Sequence, residues 1–166
     1  DLLLWLLTLG RERNFRERAL GLARLSAGES VLDIGCGTGT LAIAAKRQVG
    51  PNGRVHGIDA SSEMIRRASR KASKAGTDVA FQTALVEYLP FCDGTFDVVL
   101  STLMLHHLPG TLRSQCAAEV RRVLKPGGRL LAIDFGTSPG EKGIVAHFHR
   151  HGHINVSEMA AIFRGA

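Results

Sequence analysis

The run Val31-Leu-Asp-Ile-Gly-Cys-Gly-Thr-Gly-Thr-Leu-Ala42 constrains this chain more than any other stretch. A short apolar segment leads into glycines at 35, 37 and 39, and a segment rich in alanine follows. That order reads as a buried strand, a tight turn and the start of a helix. Glycines permit positive φ and carry no Cβ, so a ligand can lie against their backbone. The helix start adds unpaired N–H groups and the positive end of the helix dipole. In open α/β sheets, ligands bind beyond the carboxyl ends of strands, which is where such a turn falls. Taken alone, the same glycines would also suit a strand-to-helix turn that binds nothing.

The rest of the chain repeats this rhythm. Val31–Ile34 is followed by a helix over about 40–49 and a second strand at Arg54–Ile58. Ser61 is placed as an N-cap, with Glu63 favourable in the first helical turn. Met64, Ile65, Ala68, Ala72 and Ala75 then keep a helical period. Val79–Phe81 and Phe96–Leu100 read as further strands, and a helix over about 111–124 carries the stripe Leu112, Cys116, Val120 and Val123 or Leu124. Lys125-Pro-Gly-Gly128 ends it, and Arg129–Ile133 is a fifth strand. Apolar strands separated by amphipathic helices require a parallel sheet covered on both faces. The expected fold is therefore α/β, a three-layer α/β/α sandwich with a Rossmann-like, mostly parallel, doubly wound sheet. Before it, residues up to about 26 read as helical, with Phe15, Ala19, Leu22 and Leu25 on one face. After it, 136–153 reads as irregular and Val156–Phe163 as a short helix.

Asp59 follows the second strand, twenty residues past Gly39. A carboxylate there can accept both hydroxyl hydrogens of a ribose, so glycine turn and acid together imply a nucleoside-containing ligand. A dinucleotide fingerprint wants a further glycine at position 40, which is Thr here. Asp33, two residues before Gly35, brings an acid toward the same pocket. It would repel a pyrophosphate and suit an ammonium. S-adenosylmethionine (SAM) has the α-amino group and no phosphate; NAD does not fit.

At this point the chain resembles the class I SAM-dependent methyltransferases. Val31–Gly39 is similar to their first motif and His56-Gly-Ile-Asp59-Ala-Ser-Ser-Glu-Met64 to the acidic loop that follows. Leu89-Pro-Phe-Cys-Asp-Gly-Thr-Phe-Asp97-Val-Val-Leu-Ser101 resembles the fourth-strand signature, and Leu124-Lys-Pro-Gly-Gly-Arg-Leu the fifth. These four motifs cover about 28–135, and the likeness is nearest to the ubiquinone/menaquinone C-methyltransferase group, whose lead-in Asp1–Arg11 also resembles. The resemblance implies a seven-stranded sheet with an antiparallel last strand. Only five strands are legible here, so the C-terminal strands are expected to be missing. It implies one domain over 1–166: a helical lid at 1–27, a SAM-binding core at 28–135 and part of a substrate-side segment at 136–166.

Carried over by position, Asp33, Gly35, Cys36 and Gly37 should surround the methionine moiety, with Asp59 on the ribose and Ala60 and Met64 beside the adenine. The family usually offers an aspartate to the adenine amino group where this chain has Leu85. Adenine recognition is then left to the backbone of Val86 and apolar packing, with Glu87 as a weaker substitute. Ser101 opens the segment Ser101–Leu108 that should overhang the methyl group.

Methyl transfer from a sulfonium is an in-line displacement whose electrophile arrives activated, so the protein mainly positions the partners. A base is needed only if the acceptor must lose a proton. His106 and His107 are the catalytic candidates; a capping or packing role is the competing reading. His147, His149, His151 and His153 alternate and would share a face on a strand. No carboxylate or cysteine lies beside them to complete a site, so no metal is expected.

Formal charge is +6, which raises nucleic acid as a partner. The basic residues are scattered over several helices, and aromatics for stacking make up only 5% of the chain, so solvated faces explain them better. Cysteines at 36, 92 and 116 are odd in number and widely spaced, which points to a reducing, cytoplasmic setting. Leu2–Leu7 is too short to span a bilayer and lacks the flanks of a signal peptide, so a lid or core helix is expected there rather than a membrane contact. The expected partner is a small, hydrophobic acceptor, and the expected assembly a monomer or homodimer. The competing functions are an NAD-type oxidoreductase, a nucleic-acid or protein methyltransferase, and a SAM-binding protein without catalysis.

Overall fold

Strand β1 (Ser30–Ile34) is buried at four of its five positions, and it forms the middle of the sheet. A computed structural model describes residues 12–134, 157 and 161–163. They form α1 (Glu12–Ala23), β1, α2 (Thr40–Val49), β2 (Arg54–Asp59), α3 (Ser62–Lys74), β3 (Ala80–Thr83), β4 (Phe96–Thr102), a single 3-10 turn (Leu105–His107), α4 (Gly110–Val123) and β5 (Leu124–Ile133). The strand order is β3-β2-β1-β4-β5, with every pairing parallel. Connections run outward in opposite directions from β1, so a crevice opens between β1 and β4 at their carboxyl ends.

Two apolar clusters fill the layers. Ala19, Leu20, Ala23, Leu41, Ala45 and Val49 from α1 and α2 pack on Val31, Val55, Val98 and Leu100 of the sheet. Cys116, Val120 and Val123 of α4 pack on Leu32, Ile34, Ile58, Phe96 and Val99 from the opposite face, with Val86 and Leu89 between them. The five strands and three core helices expected from the sequence are all present, and Ser61 does cap α3, its Oγ accepting from the Met64 N–H at 3.4 Å. Met64 is half-buried and Ala75 ends α3 as its C-cap, so the buried stripe is Ile65, Ala68 and Ala72.

Two expectations change. Leu22 is 67% exposed, while Ala19, Leu20 and Ala23 turn inward. The buried stripe is Ala19, Leu20 and Ala23; α1 ends at Ala23, Arg24 adopts a left-handed φ of +49°, and Leu25 joins the core from beyond the helix. The fifth strand starts at Leu124 rather than Arg129. Leu124 pairs with Phe96 and Arg129 with Val98, so Lys125–Gly128 bulges out opposite Asp97. Lys125 Nζ donates to Asp97 Oδ2 at 2.8 Å across that bulge.

Two arginines tie elements that the chain separates. Arg129 on β5 donates to the Ala23 and Arg24 carbonyls and to both oxygens of Glu29, which closes α1 onto the sheet. Arg122 on α4 donates to Glu119, to Asp93 and to the carbonyls of Leu89 and Phe91, which holds the 84–95 connection against α4.

His56, Phe91 and Phe96 meet edge to face, with ring centroids 4.9–5.7 Å apart. Burial, then the Arg54 charge, holds His56 below the usual histidine range. Its protonation therefore favours the unfolded chain. The stability it contributes is full above the unfolded-state value of about 6.5 and declines as pH falls through it. Chemical denaturation of wild type and His56→Phe at about pH 7.5 and 5.5 should show wild type losing ground at the lower pH. A difference that stays constant with pH would contradict this.

Candidate active site

The glycine turn after β1 is held open by hydrogen bonds from three directions. Cys36 N–H donates to the Ile58 carbonyl at 2.8 Å, and Gly39 N–H to the Cys36 carbonyl at 2.9 Å. Gly37 N–H donates to Asp59 Oδ2 at 2.9 Å, while Asp59 Oδ1 accepts from the Ser61 N–H at 2.9 Å. One carboxylate at the end of β2 thus fixes both the glycine turn and the entry to α3.

Gly39 and Gly37 need glycine for different reasons. At Gly39, φ is +74° and a Cβ would stand 2.6 Å from Phe81 and 2.8 Å from Ala68, so α2 and α3 approach through it. At Gly37, φ is +53° and a Cβ would meet nothing within 4 Å, so its backbone faces open space. That space is a cleft of about 630 Å³, within the range of small-molecule sites.

Of the residues singled out from the sequence, Gly35, Cys36, Gly37, Asp59, Ala60 and Met64 line the cleft on the side of β1 and β2. Leu85, Val86, His106 and His107 line it from the 84–95 connection and the 3-10 turn. Leu85 is 54% exposed and Val86 is buried, and neither brings a carboxylate to this side of the cleft. Glu87 also lines the cleft.

Asp33 and Ser101 are not on its wall. Each is 1% exposed, beneath the turn, and their side-chain oxygens have no hydrogen-bond partner among the described residues. Burial, and then the Asp59 charge, raises the Asp33 carboxyl to about 7, against a smaller opposing pull from the Ala42 backbone N–H. Such a group is a reserve of negative charge under the glycine turn, available to a cation brought above it.

Other cleft residues were not legible from the motifs. Phe15 and Arg16 enter from α1, and Leu112 from α4. Leu103 adopts a left-handed φ of +53°, a conformation that costs a non-glycine residue about 1–3 kcal/mol. Its N–H donates to the Ile133 carbonyl at 2.8 Å. This turn aims Met104 at Gly35, where a Cβ would stand 2.3 Å from Met104 Cγ.

The same turn delivers the histidines. His106 Nδ1 lies 2.6 Å from Asp134 Oδ1, and the His106 backbone N–H donates to Asp134 Oδ2 at 3.2 Å. Asp134 follows β5, and both side chains are largely buried. A carboxylate only accepts, so the Nδ1–H of His106 is the donor in this contact. His107 stacks on His106 with centroids 3.9 Å apart. Burial, then His106, lowers the His107 pKa, with Asp134 opposing. No cluster of three metal-ligating side chains occurs among the described residues, and the His147–His153 run lies outside them. No helix among the described residues is long and apolar enough to cross a membrane.

This geometry agrees with relationships detected by comparison. Residues 31–128 match the family described as "Methyltransferase domain", and the chain belongs to that family. It is 36% identical to the 27-O-demethylrifamycin SV methyltransferase of Amycolatopsis mediterranei over 88% of this chain and 53% of that protein. It is 38% identical to the demethylmenaquinone methyltransferase of Thermus thermophilus over 87% of this chain and 65% of that one. The chain thus spans between half and two thirds of these relatives. The structure of a SAM-dependent methyltransferase from Aquifex aeolicus superposes with a TM-score of 0.75, at 27% identity over 90% of this chain and 77% of that one. Family and fold favour methyl transfer over dinucleotide oxidoreduction.

Asp33 supplies a test with a definite sign. Its raised pKa means that the proton binds more tightly in the folded chain, so its contribution to stability is full below the unfolded value of about 3.8 and is lost progressively as pH rises to about 7. Asp33→Asn cannot ionise, so wild type should lose stability relative to it between about pH 4 and 7 and run parallel to it above that, measured by denaturant melts. The opposite slope would place the Asp33 carboxyl in a solvated or hydrogen-bonded setting.

Proposed function

We propose that the cleft binds SAM and that the chain is the donor-binding and proton-accepting part of a small-molecule methyltransferase. The cleft that His106, backed by Asp134, shares with the glycine turn carries this reading. The residues present suit the cofactor. The backbone at Gly37 is open, and each Asp59 oxygen takes one N–H while keeping lone pairs for ribose hydroxyls. Asp33 offers charge beneath the turn to an ammonium. Ala60, Met64, Leu85 and Val86 supply apolar walls for a flat base, and Val86 its backbone.

When bound, SAM supplies a methyl group already activated on a sulfonium. What remains for the chain is to orient the acceptor, exclude water and take a proton. His106 would take that proton, and Asp134 holds the ring and balances the imidazolium that results. This suits an acceptor that becomes nucleophilic on losing a proton, a hydroxyl or an acidic ring C–H. Phe15, Leu103, Leu108 and Leu112 make its surroundings apolar, which favours a hydrophobic acceptor. Relatives named as methyltransferases of 27-O-demethylrifamycin SV and demethylmenaquinone support a small molecule rather than a polymer. Phe15 and Arg16 on the cleft support a lid role for residues 1–27 over a core at 28–135, with 136–166 on the acceptor side of one domain. The unpaired state of all three cysteines suits a reducing compartment, so we place the activity in the cytoplasm.

Full-length protein incubated with methyl-labelled SAM and a cell extract, or a panel of phenols and hydroxyquinones, would identify the acceptor. With that acceptor, His106→Gln should lower turnover by about 10²–10⁴-fold. Asp134→Asn should also lower it, with SAM affinity nearly unchanged in both. Full activity in His106→Gln would overturn the base assignment. Calorimetry with Asp59→Ala should show SAM binding weakened by about 1–3 kcal/mol. Unchanged affinity would remove the ribose role.

A further inference from the structure

Formal charge is unevenly spread over this fold. Helix α3 holds five cations and one acid in 13 residues, a net charge of +4 against +6 for the whole chain. Glu63 binds Arg66 and Arg67, and the half-buried Lys71 turns inward, donating to Thr38 Oγ1 at 2.8 Å and to Thr40 Oγ1 at 2.6 Å. Arg70 and Lys74 are exposed, and neither has an ion pair among the described residues.

The fold itself does not need this face. Arg66, Arg70 and Lys74 stand one helical turn apart, and like charges at that spacing repel. Helix α3 packs through Ile65, Ala68 and Ala72 on its other side, so the outward cations add nothing to the core. An exposed apolar pair lies near the start of the same helix. Tyr88 is 79% exposed and Leu85 54%, two of the three large apolar residues left open among the described residues. Leu85 lines the cleft together with Met64 of α3, so the pair and the first turns of α3 meet at its mouth. A tyrosine has an apolar body and a polar tip, which suits a membrane–water interface, and cations at that level are drawn to anionic lipid. Nucleic acid would feel the same cations, but no aromatic side chain stands among them on α3 to stack on a base.

We propose that α3 and the Leu85–Tyr88 rim dock this protein reversibly on an anionic bilayer, with the mouth of the cleft turned toward the lipid. The contact is peripheral. The apolar face of α3 is already covered by the sheet, so charge draws the protein to the surface, and Tyr88 with Leu85 enters the headgroup layer. The choice of a bilayer rests in part on the hydrophobic-acceptor reading above, because docking there lets an acceptor dissolved in lipid reach the cleft without crossing water. The α3 cations then serve delivery of the acceptor, apart from the grip on the cofactor.

Sedimentation of the full-length protein with phosphatidylcholine vesicles, with and without about a third phosphatidylglycerol, tests this. The anionic vesicles should bind the protein at low salt and release it at about 1 M, and the neutral ones should bind it far less. Arg70→Gln should weaken binding about fivefold, and Arg70→Gln with Lys74→Gln about thirtyfold, as loss of cations near a charged surface does. Tyr88→Ser should weaken it about fivefold by removing the interfacial anchor. Arg54→Gln removes an exposed cation at the opposite end of the sheet and should change binding by less than about twofold. None of these side chains lines the cleft, so circular dichroism and SAM calorimetry should match wild type in every variant. Equal binding to neutral vesicles, binding to neither, or indifference to the α3 pair would overturn the proposal. So would tighter binding of a DNA duplex at the same salt, lost in the same pair, which would make the face a nucleic-acid surface. The vesicle assay uses neither cofactor nor acceptor, so a failure of the SAM reading leaves its result standing.

Discussion

Asp59 is the point on which the site depends. One of its oxygens holds the Gly37 N–H and the other the Ser61 N–H, so a single carboxylate spans from β2 to the turn after β1 and to the start of α3. Cys36 N–H adds a backbone bond to Ile58 beside it. The turn is a loop of residues with positive φ, and such a loop does not hold its shape through propensity. It holds because β1 and β2 are locked in parallel register, Asp33 opposite Gly57 and Ile34 opposite Ile58. Remove the register and Asp59 no longer reaches Gly37. Fold and site are here the same set of hydrogen bonds.

The fold was legible because its signals are local. Glycines at 35, 37 and 39, the Ser61 cap and the Lys125-Pro-Gly-Gly break each act within a few residues of themselves. The apolar strands could be read in the same way, since a strand buried on both faces has no polar alternation to disguise it. Leu22 shows where this fails. A stripe of Phe15, Ala19, Leu22 and Leu25 presumes that the helix continues to 25, and nothing in the residue types announces that Arg24 will turn left-handed. The bulge at Lys125–Gly128 is similar. Its residues say turn, but only the pairing of β4 with β5 on both sides of it makes it part of a strand.

The site was legible in proportion to how much of it lies on one segment. The turn, Asp59 and the pair His106 and His107 belong to continuous motifs, and all reach the cleft. Asp134 belongs to none. It follows a strand whose sequence is apolar and ordinary, and it becomes the partner of His106 only because β5 ends beside the turn after β4. Asp33 and Ser101 could be assigned to their strands or strand ends, but their depth was not apparent. Strand alternation says which face a side chain takes, not whether the turn above will close over it.

The Arg122 clasp has a consequence for how such a protein can change over time. By gripping the carbonyls of Leu89 and Phe91 as well as Glu119 and Asp93, it makes the connection bearing Leu85 and Val86 travel with α4. Helix α4 also contributes Leu112 to the acceptor end of the cleft. Any substitution that tilts α4 will therefore drag the cleft wall at Leu85 and Val86 with it. The two parts of the cleft wall on this face are mechanically geared together, whereas the glycine turn and Asp59, anchored on β1 and β2, are insulated from them. Diversification of substrate is cheapest from the α1 side, where Phe15 and Arg16 reach the cleft from an element that carries none of the cofactor wall.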